Sequence, residues 1–393
     1  MQSNLKGLKF NAYITIIDDT EDEKFRIAIK DNMYTKGLRT TAASKVLYNF
    51  IPDYDATVVA KLKKDTRIKI VAKTNMHEFA IGGTNTSSIF GPTINPNDPE
   101  LITGGSSGGS AVAVAVGDVN AALGTDTRGS IRIPAAFCGV YGFKPTFGRI
   151  SNYGIIPVSW SLDHVGILSR EVDSIRKVYN ILKGYDPNDT NTMINLIVNE
   201  KRKGEKVKRI GIIKELTEDC DTKTDFMRFM DKLGLDVEEI SIPLLPISIE
   251  VLDKFRAETA YYHSQFLKDH ENDYFPDVLA SIKQGFSVSG VDYVRVIMNR
   301  DEMIKEFVKI FNKYDLLACP TVPIYPPKVK DILENYTSHL LKFRKMLTRN
   351  TSSFNFLKVP AISVPINKFV GAQFIADIGC DEYLLNFVSS LSV

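Results

Sequence analysis

The chain has 393 residues, 44% of them hydrophobic and 24% charged, the balance of a soluble globular protein with a sizeable core. That composition excludes a disordered, fibrous or low-complexity chain and is compatible with one large domain or two. The 49 Lys and Arg nearly cancel the 47 Asp and Glu, and a net charge of +2 gives no global pull toward nucleic acid or a membrane surface.

The opening residues, Met-Gln-Ser-Asn-Leu-Lys, hold no apolar core followed by a small-residue cleavage site, and no run approaches the roughly 18 apolar residues of a membrane span, so a cytoplasmic protein is expected. From about Phe25 strand alternation and helical periodicity interleave, which predicts α/β layers. Residues 25–30 (FRIAIK) read as a strand, residues 55–63 (DATVVAKLK) as a helix begun at an Asp cap, and residues 68–73 (IKIVAK) as a buried strand ending on Lys73. In open α/β sheets chemistry collects at the carboxyl ends of strands, which draws attention to that lysine.

Residues 104–109 (GGSSGG) form a loop by composition and lead into a helix of small residues at 110–116; 119–123 is a short strand. A second Gly/Ser turn follows at 124–130 (GTDTRGS) and runs on into 131–134. Residues 186–192 read as a polar loop, and the basic run 201–209 (KRKGEKVKR) as a solvated linker rather than a binding patch. From Ile210 a strand, a helix over 224–233 with Thr224 as its cap and a strand over 235–240 resemble a βαβ insertion on the main body, and two proline-bordered strands are predicted at 316–319 and 361–364. The four cysteines (Cys138, Cys220, Cys319, Cys380) are scattered, with no C-x-x-C pair or ligand-spaced His, and imply neither a zinc site nor a disulfide framework.

A serine hydroxyl is a weak nucleophile at neutral pH and needs a base, together with backbone N–H groups aimed at the developing oxyanion. The two Gly/Ser loops offer both parts, because glycine lets successive N–H groups converge on one point. Ser106 and Ser130 sit on those loops, and Lys73 stands at a strand end upstream of both. Neither loop has the Gly-Lys-Ser/Thr ending of a phosphate-binding P-loop, and the five histidines show no Ser-His-Asp order.

The segments KTNMHEFAIGGTN (73–85), GGSSGGSA (104–111), GTDTRGSIRIP (124–134) and GVYGFKPTFGRIS (139–151) resemble the amidase signature family. Further matches, IAIKDNMYTKGLRTTAAS (27–44), SLDHVG (161–166), CPTVP (319–323) and RNTSSFNFLKVPAISVP (349–365), carry the resemblance over most of the chain. It implies an α/β fold in which one large domain spans residues 1–393, with a central mixed β-sheet covered by helices on both faces. The core would lie at about 25–190 and 315–393, with a variable substrate-side α/β region at about 210–314.

Carried over position by position, the resemblance implies a Ser-cisSer-Lys triad: Lys73 as base, Ser106 as the cis-peptide relay and Ser130 as the nucleophile that forms an acyl-enzyme. Backbone N–H groups of Thr127, Arg128, Gly129 and Ser130 fall at the oxyanion-hole positions, with Ser107, Asp126 and Arg132 in support and no metal or cofactor. The base must be uncharged, so it has to be buried with no carboxylate against it. Arg128 departs from the pattern, standing where the family has glycine or a small residue, and three readings stay open: an outward-pointing side chain, an anion-binding one, or impaired activity.

The implied function is hydrolysis of a small-molecule amide to carboxylate and ammonia or amine, with no direct nucleic-acid or membrane partner. The alternative is the glutaminase subunit of a tRNA-dependent amidotransferase. His77 in NMHEFA and the SWSLDHVG segment look like the general amidases, where that subunit usually has Asp and SLDQIG. Thr348 stands about where the subunit carries an acidic residue for glutamine. The resemblance allows a homodimer, or partner subunits for an amidotransferase component.

Overall fold

In strand β2 (Phe25–Lys30) the side chains alternate between two apolar environments, and this alternation sets the architecture. Ile27 and Ile29 pack on one face with Ile175 and Val178 of the helix Val172–Leu182. Ala28 packs on the other with Ala111 and Val112 of the helix Gly108–Ala115. The computed structural model describes residues 4–391 except 21, 199–200, 203 and 335–337, and only the backbone at 338–342.

Around β2 lie β1 (Tyr13–Ile16), β3 (Ile68–Thr74), β4 (Ala121–Asp126), β5 (Tyr141–Lys144) and β6 (His164–Ser169). The second half adds β7 (Arg209–Ile213), β8 (Asp236–Ile240), β9 (Leu316–Pro320), β10 (Ala361–Pro365) and β11 (Gly371–Ile375). All of them form one sheet in the order β1-β3-β2-β4-β6-β5-β10-β11-β9-β7-β8. It is mixed: β2 runs parallel to β3 and β4, and β7 parallel to β8 and β9, whereas the central pairs are antiparallel. The chain is thus a single α/β domain with helices on both faces of a large sheet. Strands β7 and β8 extend that common sheet through β9 rather than forming a separate layer.

Several local expectations shift. The helix expected at 55–63 spans Thr57–Lys64 with Ala56 at its cap position, because the Asp55 carboxylate is engaged by Lys36 N–H at 2.8 Å and by Lys63. Thr224 is no cap either: that helix runs Lys223–Lys232 from Thr222, whose hydroxyl donates to the Val322 carbonyl. The helix predicted at 110–116 starts inside the glycine pair, at Gly108. Of the basic run 201–209, residue 203 lies outside the described residues.

Gly109 shows why glycine is needed there. A Cβ on it would stand 2.4 Å from the Asn75 carbonyl oxygen and 2.5 Å from that of Ala12, both rigid backbone. The helix that follows Ser106 is therefore seated directly on the chain leaving β3. Gly109→Ala is expected to destabilise the fold by about 1–3 kcal/mol through overpacking, read as a lower midpoint in urea unfolding.

Candidate active site

The loop 104–107 and the turn 127–131 lie side by side at the carboxyl end of β4. Ser107 N–H donates to the Ser130 carbonyl at 3.3 Å, and Ser107 Oγ donates to the Thr125 carbonyl at 3.2 Å. The Gly105–Ser106 peptide is cis, and the Ser106 carbonyl accepts from His77 N–H at 3.1 Å. Ser106 is fully buried, and Ser130 opens onto a small cleft.

The lysine at Ser106 is Lys30, the last residue of β2, and not Lys73. Lys30 Nζ donates to Ser106 Oγ at 2.6 Å and to Thr125 Oγ1 at 2.8 Å, fully buried. Burial lowers its pKa to about 7 against the opposing pull of Asp126 and Asp163.

Lys73 ends up on the other side of the sheet. In the parallel register Ile29 lies beside Lys73 and Lys30 beside Thr74, so the two lysines project from opposite faces. Thr74 shares a hydrogen bond with Ser110 on the Ser106 side. Lys73 Nζ instead forms an ion pair with Asp31 at 3.0 Å and donates to Thr40 Oγ1 and to the Arg39 carbonyl. Burial lowers the pKa of Lys73 as well, with Asp31 opposing the shift, and that carboxylate stands where a free base requires none. A signal for Lys30 exists in the sequence, because residues 25–30 also read as a strand ending in lysine. The neighbouring Asp31 is not its partner but that of Lys73.

Asp126, at the end of β4, organises the turn. Its Oδ1 accepts from Gly129 N–H (2.7 Å), Arg132 Nη2 (2.9 Å) and Asn355 Nδ2 (2.8 Å); its Oδ2 accepts from Arg132 Nε (3.0 Å) and Ile131 N–H (3.2 Å). Burial alone would raise its carboxyl pKa, but Arg132, Lys144 and Asn355 outweigh that and hold it well below the usual range. Because Gly129 N–H is committed to Asp126, the remaining main-chain oxyanion candidates are Thr127, Arg128 and Ser130. Gly129 has φ +127°, and a Cβ there would meet Thr351 Oγ1 at 2.2 Å.

Sequence reading missed the groups that hold this turn from a distance. Arg132 also donates to Gln373 Oε1 (2.6 Å), Asn355 Oδ1 (2.6 Å) and the Thr351 carbonyl (3.0 Å). Thr127 Oγ1 donates to Asp163 at 2.6 Å, and burial pushes the Asp163 carboxyl up to about 7. His77 pairs with Asp277 and His164 binds the Leu162 carbonyl, both of them structural hydrogen bonds. Arg128 does not point outward. Its guanidinium folds onto the helix Ile249–Asp253, donating to Asp253 Oδ1 at 2.8 Å and to the Leu252 carbonyl at 2.5 Å, and it lines the same cleft as Ser130.

The Amidase family model matches residues 26–385. The chain is 34% identical over 399 residues to the A subunit of glutamyl-tRNA(Gln) amidotransferase from Saccharolobus solfataricus, covering 92% of this chain and 82% of that one. Among solved structures it is similar to a crystal structure of an amidase (TM-score 0.81, 32% identity, covering 93% of this chain and 83% of that one). It is equally similar to the A subunit of the Thermotoga maritima glutamyl-tRNA(Gln) amidotransferase (TM-score 0.81, 32% identity, 97% and 86%). The chain belongs to the amidase family, whose members are hydrolases acting on amides.

The two buried lysines differ in what their removal leaves behind. Lys73→Met strands the Asp31 carboxylate without its counter-charge and is expected to cost about 3–5 kcal/mol of stability. Lys30→Met removes an amine already close to neutral and is expected to cost less. Denaturant unfolding of the two variants side by side checks the order, and equal or reversed losses would contradict these pairings.

Proposed function

We propose that the chain hydrolyses carboxamides with Ser130 as nucleophile, Ser106 as proton relay and Lys30 as base. The observation that carries this reading is the 2.6 Å contact from a buried Lys30 amine, lowered to about 7, to Ser106 Oγ. An uncharged Lys30 takes the proton of Ser106 Oγ while Ser106 takes that of Ser130, whose oxygen attacks the amide carbon. The carbonyl oxygen then carries the negative charge, and the N–H groups of Thr127, Arg128 and Ser130 are the donors for it. Passed back along the same relay, the proton goes to the leaving nitrogen, the C–N bond breaks and ammonia or amine departs. Water activated by the same relay attacks the Ser130 ester, releasing the carboxylate and restoring the serine. Asp126, Arg132 and Ser107 hold the turn in place. This reading sets the reaction in the cytoplasm; among the described residues no helix is long and apolar enough to cross a membrane.

A second reading is favoured by the relatives themselves, several of which are A subunits of glutamyl-tRNA(Gln) amidotransferases. In it the ammonia released from glutamine would pass to partner subunits. The first reading is supported by the cleft, where Thr348 stands and, among the described residues, no carboxylate lines the wall to receive an α-ammonium group. Ammonia release by the purified chain from a panel of amides including glutamine separates the two. The expected outcome is release from non-glutamine amides without partners; silence until partner subunits are added would establish the second reading.

The triad makes a prediction about pH as well. Below about pH 7 a protonated Lys30 cannot accept a proton, so kcat/KM is expected to rise with pH to a plateau with an apparent pKa near 7. Ser130→Ala and Lys30→Ala are each expected to lower turnover at least about a thousandfold with unchanged circular dichroism. Turnover surviving in either variant would remove that residue from the scheme.

A further inference from the structure

The cleft beside Ser130 contains three guanidiniums that the acyl-transfer chemistry does not use. Arg128 and Arg256 share one carboxylate, Asp253, at 2.8 and 2.9 Å. Arg344, on the helix Ser338–Thr348, donates to Ser281 Oγ at 3.1 Å, and the same hydroxyl accepts from Arg256. Among the described residues no carboxylate lies within ion-pairing distance of Arg344. Asp277 acts on it from farther away but is engaged by His77 and Ser87. Three positive groups thus face two carboxylates, Asp253 and the more distant Asp277, and every described residue lining the cleft is neutral or cationic.

Such an arrangement is costly when empty. Burial lowers the pKa of the Arg344 guanidinium, and Arg256 and Arg128 lower it further, so its cationic form is poorly compensated. Burial and the neighbouring Arg256 likewise hold Arg128 down to about 10. Arginine does not shed its proton in practice, so what relieves the crowding is an incoming anion. Guanidiniums match a planar carboxylate through paired N–H donors. The cleft measures about 40 Å³, space for a few water-sized groups, which suits a short acyl chain.

We propose that the substrate is a short amide whose acyl part ends in a carboxylate seated against Arg344, Arg256 and Arg128, a monoamide of a small dicarboxylic acid with no ammonium group. This rests on the hydrolytic reading above and specifies its substrate class. An α-ammonium, as in glutamine, would face three guanidiniums with no acid among the described lining residues to receive it.

The test compares kcat/KM for succinamate and glutaramate, for the uncharged butyramide and valeramide, and for glutamine, on the full chain. The acid amides are expected to exceed the neutral ones and glutamine by at least about tenfold, the worth of one charge-assisted contact. In Arg344→Gln this ratio is expected to collapse toward unity. Equal or better use of neutral amides, glutamine hydrolysed as well as glutaramate, or an unchanged ratio in Arg344→Gln would each overturn the proposal while leaving amide hydrolysis standing. Glutarate binding by calorimetry gives a readout that does not depend on turnover. If no amide is hydrolysed, saturable binding that Arg344→Gln weakens at least tenfold would sustain the anion site and overturn the hydrolytic reading. Absence of glutarate binding would overturn the anion site itself.

Discussion

The buried pair of Asp126 and Arg132 is the interaction on which the site depends. Neither side chain has access to water, so each must satisfy its charge inside the protein. Asp126 does so by gathering N–H donors from the turn that follows it, and Arg132 by reaching the late segments at Thr351, Asn355 and Gln373. A carboxylate at a strand end thereby joins parts of the chain more than two hundred residues apart. The turn bearing Ser130 is held by this network, to which Gly129 contributes one of the N–H donors.

Against that fixed turn, the parity of two neighbouring strands decides which lysine reaches Ser106. Side chains alternate along a strand, so Lys30 and Lys73, one register step apart on β2 and β3, face opposite layers. One lies against hydroxyls alone and is held near neutrality by desolvation; the other lies against Asp31. The same residue type at neighbouring strand ends becomes a candidate base or a structural cation according to whether an acid faces it.

The cleft follows a different electrostatic logic. Arg128 lies in the turn expected to hold an oxyanion, so its backbone and its side chain are turned to separate tasks. The side chain leaves the turn for Asp253 and joins Arg256 and Arg344 in the cleft. There the three guanidiniums share Asp253 and the more distant Asp277, so positive charge exceeds the acid that faces it.

By itself the sequence determined the elements whose signals are local. The strands expected at 25–30, 68–73, 209–215 (RIGIIKE), 235–240, 316–319 and 361–364 stand within a residue or two of those bounds, because alternation and flanking turns are written in adjacent residues. GGSSGG and GTDTRGS pointed to the stretches that bring Ser106 and Ser130 into neighbouring positions, although 124–126 close the strand Ala121–Asp126, expected at 119–123, and 108–109 open a helix. The strands Tyr141–Lys144 and Gly371–Ile375 have no counterpart among the elements expected from the sequence. The tertiary structure alone decided which lysine reaches Ser106, that Gly129 spends its N–H on Asp126, and that Asn355 and Gln373 brace the turn. Strand register, face and long-range charge pairing arise only when distant segments pack together, and no window of neighbouring residues encodes them.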